Sequence, residues 1–467
     1  MNAVQGVESF VRGERLEGPG RLTAVSLFSG AGLSDSGYER AGFRFMVQVE
    51  IDTNRAKVGQ SNFPTSTWIT GDVTMLCDQI VQAYRDKTAQ RLDMLVATPP
   101  CQGMSSSNPS RGKRQAPSSE VDSKEQESVV DRKNRLILDL VPIAHALKPR
   151  VIVAENVRQI LTLTVNREGH REHVIDLLRA ALVDYVVFTG VVDVADYGIP
   201  QTRKRAIIVA VHKDEVWLPQ LAGNKQLPWP VPTHAETPDA SHKRWVTVRD
   251  WLMMMKYESI DAKSKETARG QHRLHFVPTY DDDRYLQISQ IEPYSGRSAY
   301  QNNTCPRCGL EAVPEWLALC GACGGLMRNR PYLVDSSGHA RLIKGFVSSY
   351  RRMPADLPAR TITTNSSHVG SDYKIHPWEN RVLSILECAD IQTVPRWYDW
   401  SVAFKSKLNY LIRNVIGEAF PPYFTYLHGE VLGRLLANEE IGAEVLASVP
   451  RRRPRRKPEQ RSLPLPS

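Results

Sequence analysis

The 467-residue sequence contains no apolar run of membrane-spanning length, and its first residues lack the apolar core that is typical of a signal peptide. We therefore expect a soluble, intracellular protein with no membrane partner. Cysteine is also scarce, and four of the seven cysteines occur in two close pairs. In an intracellular protein, this pattern favours metal binding or catalysis over disulfide bonds.

Positive charge is concentrated at one end of the chain. Seven basic residues and one acidic residue between positions 451 and 461 supply two thirds of the net charge of +9. Prolines interrupt this segment, so we predict a solvated, disordered tail. Such a tail would add weak, sequence-independent attraction to a phosphate backbone.

Strand and helix signals alternate through the first half of the chain. Strand-like apolar runs occupy 23–28, 45–50, 94–98 and 151–154, and helical patterns separate them. This rhythm predicts an α/β fold with a doubly wound, mostly parallel sheet. Residues 103–131 are polar and lack apolar periodicity, so they are either a disordered linker or an active-site lid.

A cysteine follows one of these strands in the sequence Pro99-Pro100-Cys101-Gln102. The carboxyl end of a parallel strand is where open α/β sheets bind ligands, and two prolines restrict the local backbone. Cys101 is therefore a candidate nucleophile. The alternative is a small buried apolar residue, which is the commoner role of a lone cysteine.

Glycines after the first strand indicate a second ligand-binding feature. Gly30 and Gly32 allow a tight turn and the close approach of a ligand to the backbone. Glu50 ends the second strand, where a carboxylate can accept hydrogen bonds from ribose hydroxyls, and Asp72 follows the third. Together these residues predict a cofactor site.

Further motif-like segments follow in a fixed order along the chain. They are Phe28–Gly32, Pro99–Gln102, Ala154–Val157, Asp196–Arg205, Leu357–Thr363, Glu387–Gln392 and Asn414–Pro422. In this order they resemble the DNA cytosine-5 methyltransferase family over residues 22–212 and 355–425. The variable stretch between these two regions lies where the family has its target recognition domain.

The resemblance implies S-adenosylmethionine as cofactor. Glu50 would bind its ribose, Ile51 would pack on its adenine, and Asp72 with Val73 would bind the adenine edge. The cofactor-binding residues implied are Phe28, Gly30, Gly32, Glu50, Ile51, Asp72, Val73, Pro99 and Glu418.

Three positions depart from the family pattern. Ser26 stands where the family usually has Asp, Leu33 where it has a second glycine, and Glu418 where it has Asn. We expect these departures to alter the affinity for the cofactor and not its identity.

The resemblance also implies covalent catalysis. The Cys101 thiolate would add to carbon 6 of cytosine, and Glu155 would hydrogen-bond or protonate ring nitrogen 3. Arg205, and less directly Arg203, would stabilise negative charge on oxygen 2. In isolation, a strand-end carboxylate is the commoner explanation of Glu155, and salt-bridge partners are the commoner explanation of the two arginines.

The paired cysteines lie between the two family-like regions. Cys305 and Cys308 form one pair and Cys320 and Cys323 the other, each followed by glycine, with 11 residues between the pairs. This pattern predicts a structural zinc site with four thiolate ligands. We expect the zinc ribbon to stabilise a small domain more than to contact bases. The residues then available for phosphates are Arg297, Arg307, Arg328 and Arg330.

These signals divide the chain into predicted segments. They are an N-terminal extension (1–21), the first catalytic part (22–230), a target recognition domain with the zinc-ribbon-like insert (231–350), the closing catalytic part (351–445) and the basic tail (446–467). The sequence leaves open the target sequence and the oligomeric state.

Three functions remain from the sequence. The first is a DNA (cytosine-5) methyltransferase acting on a base flipped out of duplex DNA. By resemblance it is prokaryotic, cytoplasmic and nucleoid-associated, with partner proteins of a restriction-modification or phage-defence system. The second is an RNA methyltransferase, which the long insert disfavours. The third is a silent DNA-binding module, which the presence of Cys101, Glu155 and Arg205 disfavours.

Overall fold

The computed structural model describes residues 3–15, 21–100, 135–167, 170–345, 347–406, 409–439, 441–442 and 444–448. Cys101 and the proposed lid at 103–131 lie outside the described residues, and so does most of the basic tail. Within the described part of the chain, no helix is long and apolar enough to cross a membrane.

The strands vary in length from two to nine residues. They are β1 (Leu22–Leu27), β2 (Phe43–Glu50), β3 (Thr67–Thr70), β4 (Met94–Ala97), β5 (Val151–Val157), β6 (Thr164–Arg167), β7 (His170–His173), β8 (Tyr185–Asp193), β9 (Gln201–Thr202), β10 (Lys204–His212), β11 (Gln226–Pro230), β12 (His234–Ala235), β13 (Lys243–Arg244), β14 (Tyr332–Val334), β15 (Ala340–Leu342), β16 (Ala359–Arg360) and β17 (Leu446–Ser448).

Helices alternate with the strands in the first half and dominate the end of the chain. They are α1 (Ala3–Arg12), α2 (Leu33–Arg40), α3 (Thr53–Asn62), α4 (Cys77–Arg85), α5 (Leu140–Leu147), α6 (Val174–Ala181), α7 (Leu218–Gly223), α8 (Val248–Met255), α9 (Asp282–Ser289), α10 (Ile385–Ile391), α11 (Ser401–Lys405), α12 (Asn409–Glu418) and α13 (Pro422–Leu436).

A seven-stranded sheet with the order β3-β2-β1-β4-β5-β10-β8 forms the centre of the fold. The first five strands in this order are parallel to one another, and β10 is antiparallel to both β5 and β8. This arrangement confirms the predicted doubly wound, mostly parallel sheet. The strand order reverses between β1 and β4, and ligands bind outside the carboxyl ends of the strands at such a switch point.

The central strands are almost entirely buried because separate hydrophobic clusters cover the two faces of the sheet. Strand β4 is buried along its whole length, which explains its continuous apolar sequence. The helix expected around 136–140 begins as a 3-10 turn at Leu136–Asp139 and continues as α5. The expected bounds of the other early strands and helices agree with the structure to within about two residues.

The last helix returns the chain to the first half of the sheet. Helix α13 packs directly on α2, and a Cβ atom placed on Gly37 would lie 2.0 Å from the carbonyl oxygen of Pro422. The hydroxyl of Ser34 donates to the carbonyl of Phe420 at 3.2 Å, and the amide of Phe420 donates back at 3.0 Å. These contacts place α12 and α13 beside the glycine turn.

The intervening region has apolar clusters of its own. One is built from residues between Ile260 and Val382, and a smaller one surrounds the paired cysteines. The domain boundaries drawn from the sequence stay a prediction.

Candidate functional site

A turn with left-handed backbone conformations joins β1 to α2 at the switch point. Phe28, Gly30 and Gly32 have φ values of 57°, 57° and 77°. A Cβ atom on Gly32 would lie 2.6 Å from the Phe63 ring, whereas one on Gly30 would meet no atom within 4 Å. Gly32 is therefore required by packing, while Gly30 borders open space that a ligand can approach.

The Glu50 carboxylate is buried and stabilises this turn. One of its oxygens accepts a hydrogen bond from the amide of Gly30 and the other from the amide of Asp52, each at 2.9 Å. A carboxylate has about four acceptor positions, so lone pairs remain for ribose hydroxyls. Beside it, the Ile51 side chain is 66% exposed and so is available for the predicted packing against an adenine.

Asp72 is the N-cap of the 3-10 turn at Val73–Met75. Its carboxylate accepts hydrogen bonds from the amide and the hydroxyl of Thr74, at 3.1 and 2.9 Å. Val73 is buried against the sheet. Because β2 and β3 are parallel neighbours, Asp72 lies at the same edge as Glu50.

Glu418, at the end of α12, reaches the same edge from the closing part of the chain. Its carboxylate forms an ion pair with Arg55 of α3 at 3.0 Å. Burial raises the pKa of the Glu418 carboxyl, and the positive charge of Arg55 opposes that shift. Arg55 is not indicated by any sequence motif, because its partner lies 363 residues away.

Glu155 and Arg205 meet where β5 and β10 end side by side. The guanidinium Nε of Arg205 lies 2.9 Å from a Glu155 carboxylate oxygen, and each side chain is 15% exposed. Burial raises the pKa of Glu155, while the positive charges of Arg205 and Arg203 oppose the shift. The arrangement gives a carboxyl suited to proton transfer beside a guanidinium suited to an anionic oxygen.

Arg203 has different surroundings from Arg205. It is 1% exposed, and its guanidinium donates to the carbonyls of Ile362 at 3.1 Å, Gly417 at 3.1 Å and Glu418 at 3.0 Å. The last two carbonyls end α12, where a cation is favourable. These contacts favour a positioning role for Arg203, which links the Arg205 strand to the cofactor-side helix.

Asn156 is a further residue that the sequence analysis did not single out. It is 3% exposed, and its side-chain amide donates to the Pro99 carbonyl at 3.0 Å. Asn156 therefore holds the backbone at Pro99, two residues before Cys101, close to the strand that carries Glu155. Its position next to Glu155 in the quoted motif was the signal available.

The four paired cysteines converge. Their sulfur atoms all lie within 4.8 Å of one another, with Cys305 to Cys323 at 3.7 Å and Cys308 to Cys320 at 3.8 Å. Four sulfurs at about 2.3 Å from a tetrahedral ion are separated by about 3.8 Å. The donor set therefore fits zinc, and these separations are too long for disulfide bonds.

The two cysteine turns share one backbone pattern. Gly309 and Gly324 have positive φ values, and their amides donate to the carbonyls of Cys305 and Cys320. Because each turn directs two sulfurs to the same point, the four thiol groups are preorganised to bind a metal ion.

Arg330 lies beneath this module and is fully buried. Its guanidinium makes five hydrogen bonds, among them one to the carbonyl of Asn302 at 2.9 Å and one to that of Val313 at 2.7 Å. The prediction that Arg330 is available for phosphates is therefore wrong, since the loop uses all of its donors. Arg328 is exposed but forms an ion pair with Asp283.

A glycine turn and a ribose-type carboxylate at the switch point of a doubly wound sheet define an α/β enzyme that binds a nucleoside cofactor. Comparison of the sequence with protein families then identifies the particular type. The profile of the C-5 cytosine-specific DNA methylases matches residues 22–432, so the chain belongs to that family. It is a DNA (cytosine-5) methyltransferase, and the cofactor of this family is S-adenosylmethionine.

Bacterial relatives match most of the chain. The Type II methyltransferase M1.HgaI of Avibacterium volantium is 26% identical over 86% of this chain and 95% of its own. M1.HphI of Haemophilus parahaemolyticus is 28% identical over 90% and 88%. Among solved structures, a protein that is encoded within an Escherichia coli prophage and assigned to the DNA modification methyltransferases superimposes on this chain with a TM-score of 0.51. It is 19% identical over 89% of this chain and 99% of its own, which supports the fold alone.

Proposed function

We propose that the chain transfers a methyl group to carbon 5 of a cytosine flipped out of duplex DNA, through a covalent adduct with Cys101. The Glu155–Arg205 pair carries the proposal, because it supplies a buried carboxyl and a cation beside the backbone that leads to Cys101. S-adenosylmethionine supplies an electrophilic methyl group when it is bound by the turn at Gly30, by Glu50 and by Asp72.

The steps use the protein's own groups in sequence. The Cys101 thiolate forms a bond to carbon 6, and the displaced ring electrons make carbon 5 nucleophilic. Glu155 donates a proton to ring nitrogen 3, and Arg205 stabilises the charge at oxygen 2. Carbon 5 then takes the methyl group, and the cofactor would leave as its neutral thioether. The carbon-5 proton leaves to solvent water, and its electron pair re-forms the double bond between carbons 5 and 6 while the sulfur–carbon bond breaks and restores the Cys101 thiolate. Nitrogen 3 returns its proton to Glu155.

Replacement of the nucleophile tests this function. We expect Cys101→Ser to abolish methyl transfer while cofactor binding stays nearly unchanged, because a hydroxyl is a far poorer nucleophile than a thiolate at neutral pH. The wild type should form a trapped adduct with a 5-fluorocytosine duplex, whose carbon-5 fluorine cannot leave as a proton does.

Cys77→Ser is the matched control, since Cys77 is free and partly exposed on α4. Bisulfite sequencing of DNA from expressing cells reports the product directly. Wild-type turnover in Cys101→Ser, or methylation of RNA without methylation of DNA, would refute the proposal.

The cellular setting is proposed from the relatives, which are named Type II methyltransferases. We place the protein in the cytoplasm with the nucleoid, in a sequence-specific restriction-modification or phage-defence system whose other proteins are its partners. Bisulfite sequencing also tests this setting. Methylation confined to one short recurring sequence supports it, and methylation spread evenly over all cytosines contradicts it.

Zinc is the second ligand proposed for the chain. Cys305, Cys308, Cys320 and Cys323 would bind one ion and order a segment with little apolar core of its own. Replacing Cys305 and Cys308 by Ser should release the metal and weaken DNA binding, while S-adenosylmethionine binding survives.

Elemental analysis of protein purified without chelators measures the zinc content, with Cys77→Ser as the control. A wild-type chain without stoichiometric zinc, or with four thiols that are freely alkylated in the native state, would rule out the metal site.

A further inference from the structure

A basic and aromatic cluster lies at β16, the strand that pairs with β9. The guanidinium carbon of Arg360 lies 5.7 Å from the centre of the Tyr373 ring, and that of Arg351 lies 5.9 Å from it. Both distances are within the range of cation–π contacts. These three residues are called the Tyr373 cluster below.

Short backbone pairings tie the Tyr373 cluster to the catalytic strand. β16 is parallel to β9, with Arg360 opposite Thr202, and the hydroxyl of Thr361 donates to the Thr202 carbonyl at 2.9 Å. Three residues after Thr202, Arg205 contacts Glu155. The pairing therefore holds the Arg360 backbone beside the chain segment that leads to Arg205.

The two arginines differ in their available donors. Arg351 is partly buried, and its Nε and Nη1 donate to the carbonyls of Val347 and Gly296. Arg360 is exposed, and no hydrogen bond or ion pair of its guanidinium occurs among the described residues. Arg351 thus holds the ring, while Arg360 keeps its planar set of N–H donors for a ligand.

Charges of both signs surround Arg360. Lys204 is exposed, and its Nζ lies 3.9 Å from the Asp193 carboxylate. Burial raises the pKa of the Asp193 carboxyl, and the positive charges of Lys204 and Arg360 oppose that rise. Asp372 is the exposed acidic neighbour of the Tyr373 ring. A guanidinium that is oriented by a ring and has free donors matches the bidentate geometry of a phosphodiester.

We infer that the Tyr373 cluster is a phosphate clamp, in which Arg360 binds the DNA backbone next to the flipped cytosine without reading sequence. The inference rests on the proposed function, because it takes its partner to be DNA. Phosphate contacts of this kind position the duplex and make binding depend on salt.

The test measures binding of a random-sequence duplex by fluorescence anisotropy between 50 and 200 mM salt. Arg360→Gln should reduce the slope of log affinity against log salt by about 0.9, the value for one phosphate contact. Arg360→Lys should keep the slope with weaker binding. Tyr373→Leu should lower affinity roughly two- to five-fold, and Tyr373→Phe should not.

Arg85→Gln is the matched control, because Arg85 is exposed at the end of α4 that leads back to the amino-terminal edge of the sheet. Its slope should equal that of the wild type, and the basic tail contributes equally to every variant. A wild-type slope in Arg360→Gln, or a loss confined to one methylated target sequence, would overturn the clamp. If the wild type binds with the expected slope but methylates no DNA, the proposed function fails while the clamp stands.

Discussion

Asp35 is an acidic residue in the core beneath the glycine turn. Its carboxylate accepts hydrogen bonds from the Ser26 hydroxyl at 3.1 Å and from Nε2 of Gln48 at 2.8 Å. Burial raises its pKa from 3.8 to about 7, although these two hydrogen bonds lower it. Between these values the folded protein holds a proton that the unfolded chain releases.

This difference predicts a pH-dependent stability that Asp35→Asn should remove. Because the folded state binds the extra proton, the contribution of Asp35 is fully present below about pH 4 and is lost as pH rises to about 7. Three pKa units correspond to about 4 kcal/mol, of which about 3 kcal/mol falls between pH 5 and 8. The amide keeps both an acceptor for Gln48 and a group that can bond Ser26, so packing is preserved.

Urea unfolding at pH 5, 6, 7 and 8 measures the effect as the difference in unfolding free energy between Asp35→Asn and the wild type. That difference should shift in favour of the variant by about 3 kcal/mol over this range. Asp176→Asn is the control, because Asp176 is 64% exposed on α6, where it forms a surface ion pair with Arg179. A difference for Asp35→Asn that stays constant to within about 1 kcal/mol would show that Asp35 is ionised in the native protein.

Two predictions concern the catalytic edge. Glu155→Gln should reduce turnover by a factor of about 100 or more, as for loss of a general acid, and should remove the decline in rate as pH rises through the raised pKa of Glu155. Unchanged turnover in a pH series would assign ring activation to another group. Arg203→Met should lower the melting temperature because it leaves buried carbonyls unpaired. Arg205→Lys keeps a cation beside Glu155, so it should lower kcat at a nearly unchanged melting temperature. Equal melting temperatures for the two variants would contradict the positioning role of Arg203.

The central sheet was predictable because its signals are local. Strands β4 and β5 are short apolar runs, and the glycine turn after β1 marks the switch point in the sequence itself. The antiparallel direction of β10 was not predictable. A strand that is buried on both faces is a continuous apolar run, and such a run does not indicate the direction of the strand in the sheet. The hairpin of β6 and β7 was missed because its residues are polar.

The cofactor edge and the cysteine cluster follow from motifs, but their supporting contacts do not. Arg330 resembles its exposed neighbours in sequence, and only the folded loop shows that carbonyls from both sides of the first cysteine turn surround it. Asn156 and Arg55 act through partners 57 and 363 residues away. The pattern of a single sequence carries no information on such pairings, because a polar residue with a distant partner and one that faces solvent have the same local sequence signal.

Arg203 and Arg205 show where pattern reasoning reaches its limit. Residues two apart in a strand point to the same face, so a continuous strand through both would direct both guanidinium groups to the substrate. The chain instead breaks between β9 and β10, and the Arg203 amide donates to the Asp193 carboxylate at 2.9 Å. At that break the Arg203 side chain turns to the last carbonyls of α12, while Arg205 stays in the strand and meets Glu155. Because α12 also carries Glu418, we propose that Arg203 couples the helix of this predicted cofactor residue to the strand of Arg205.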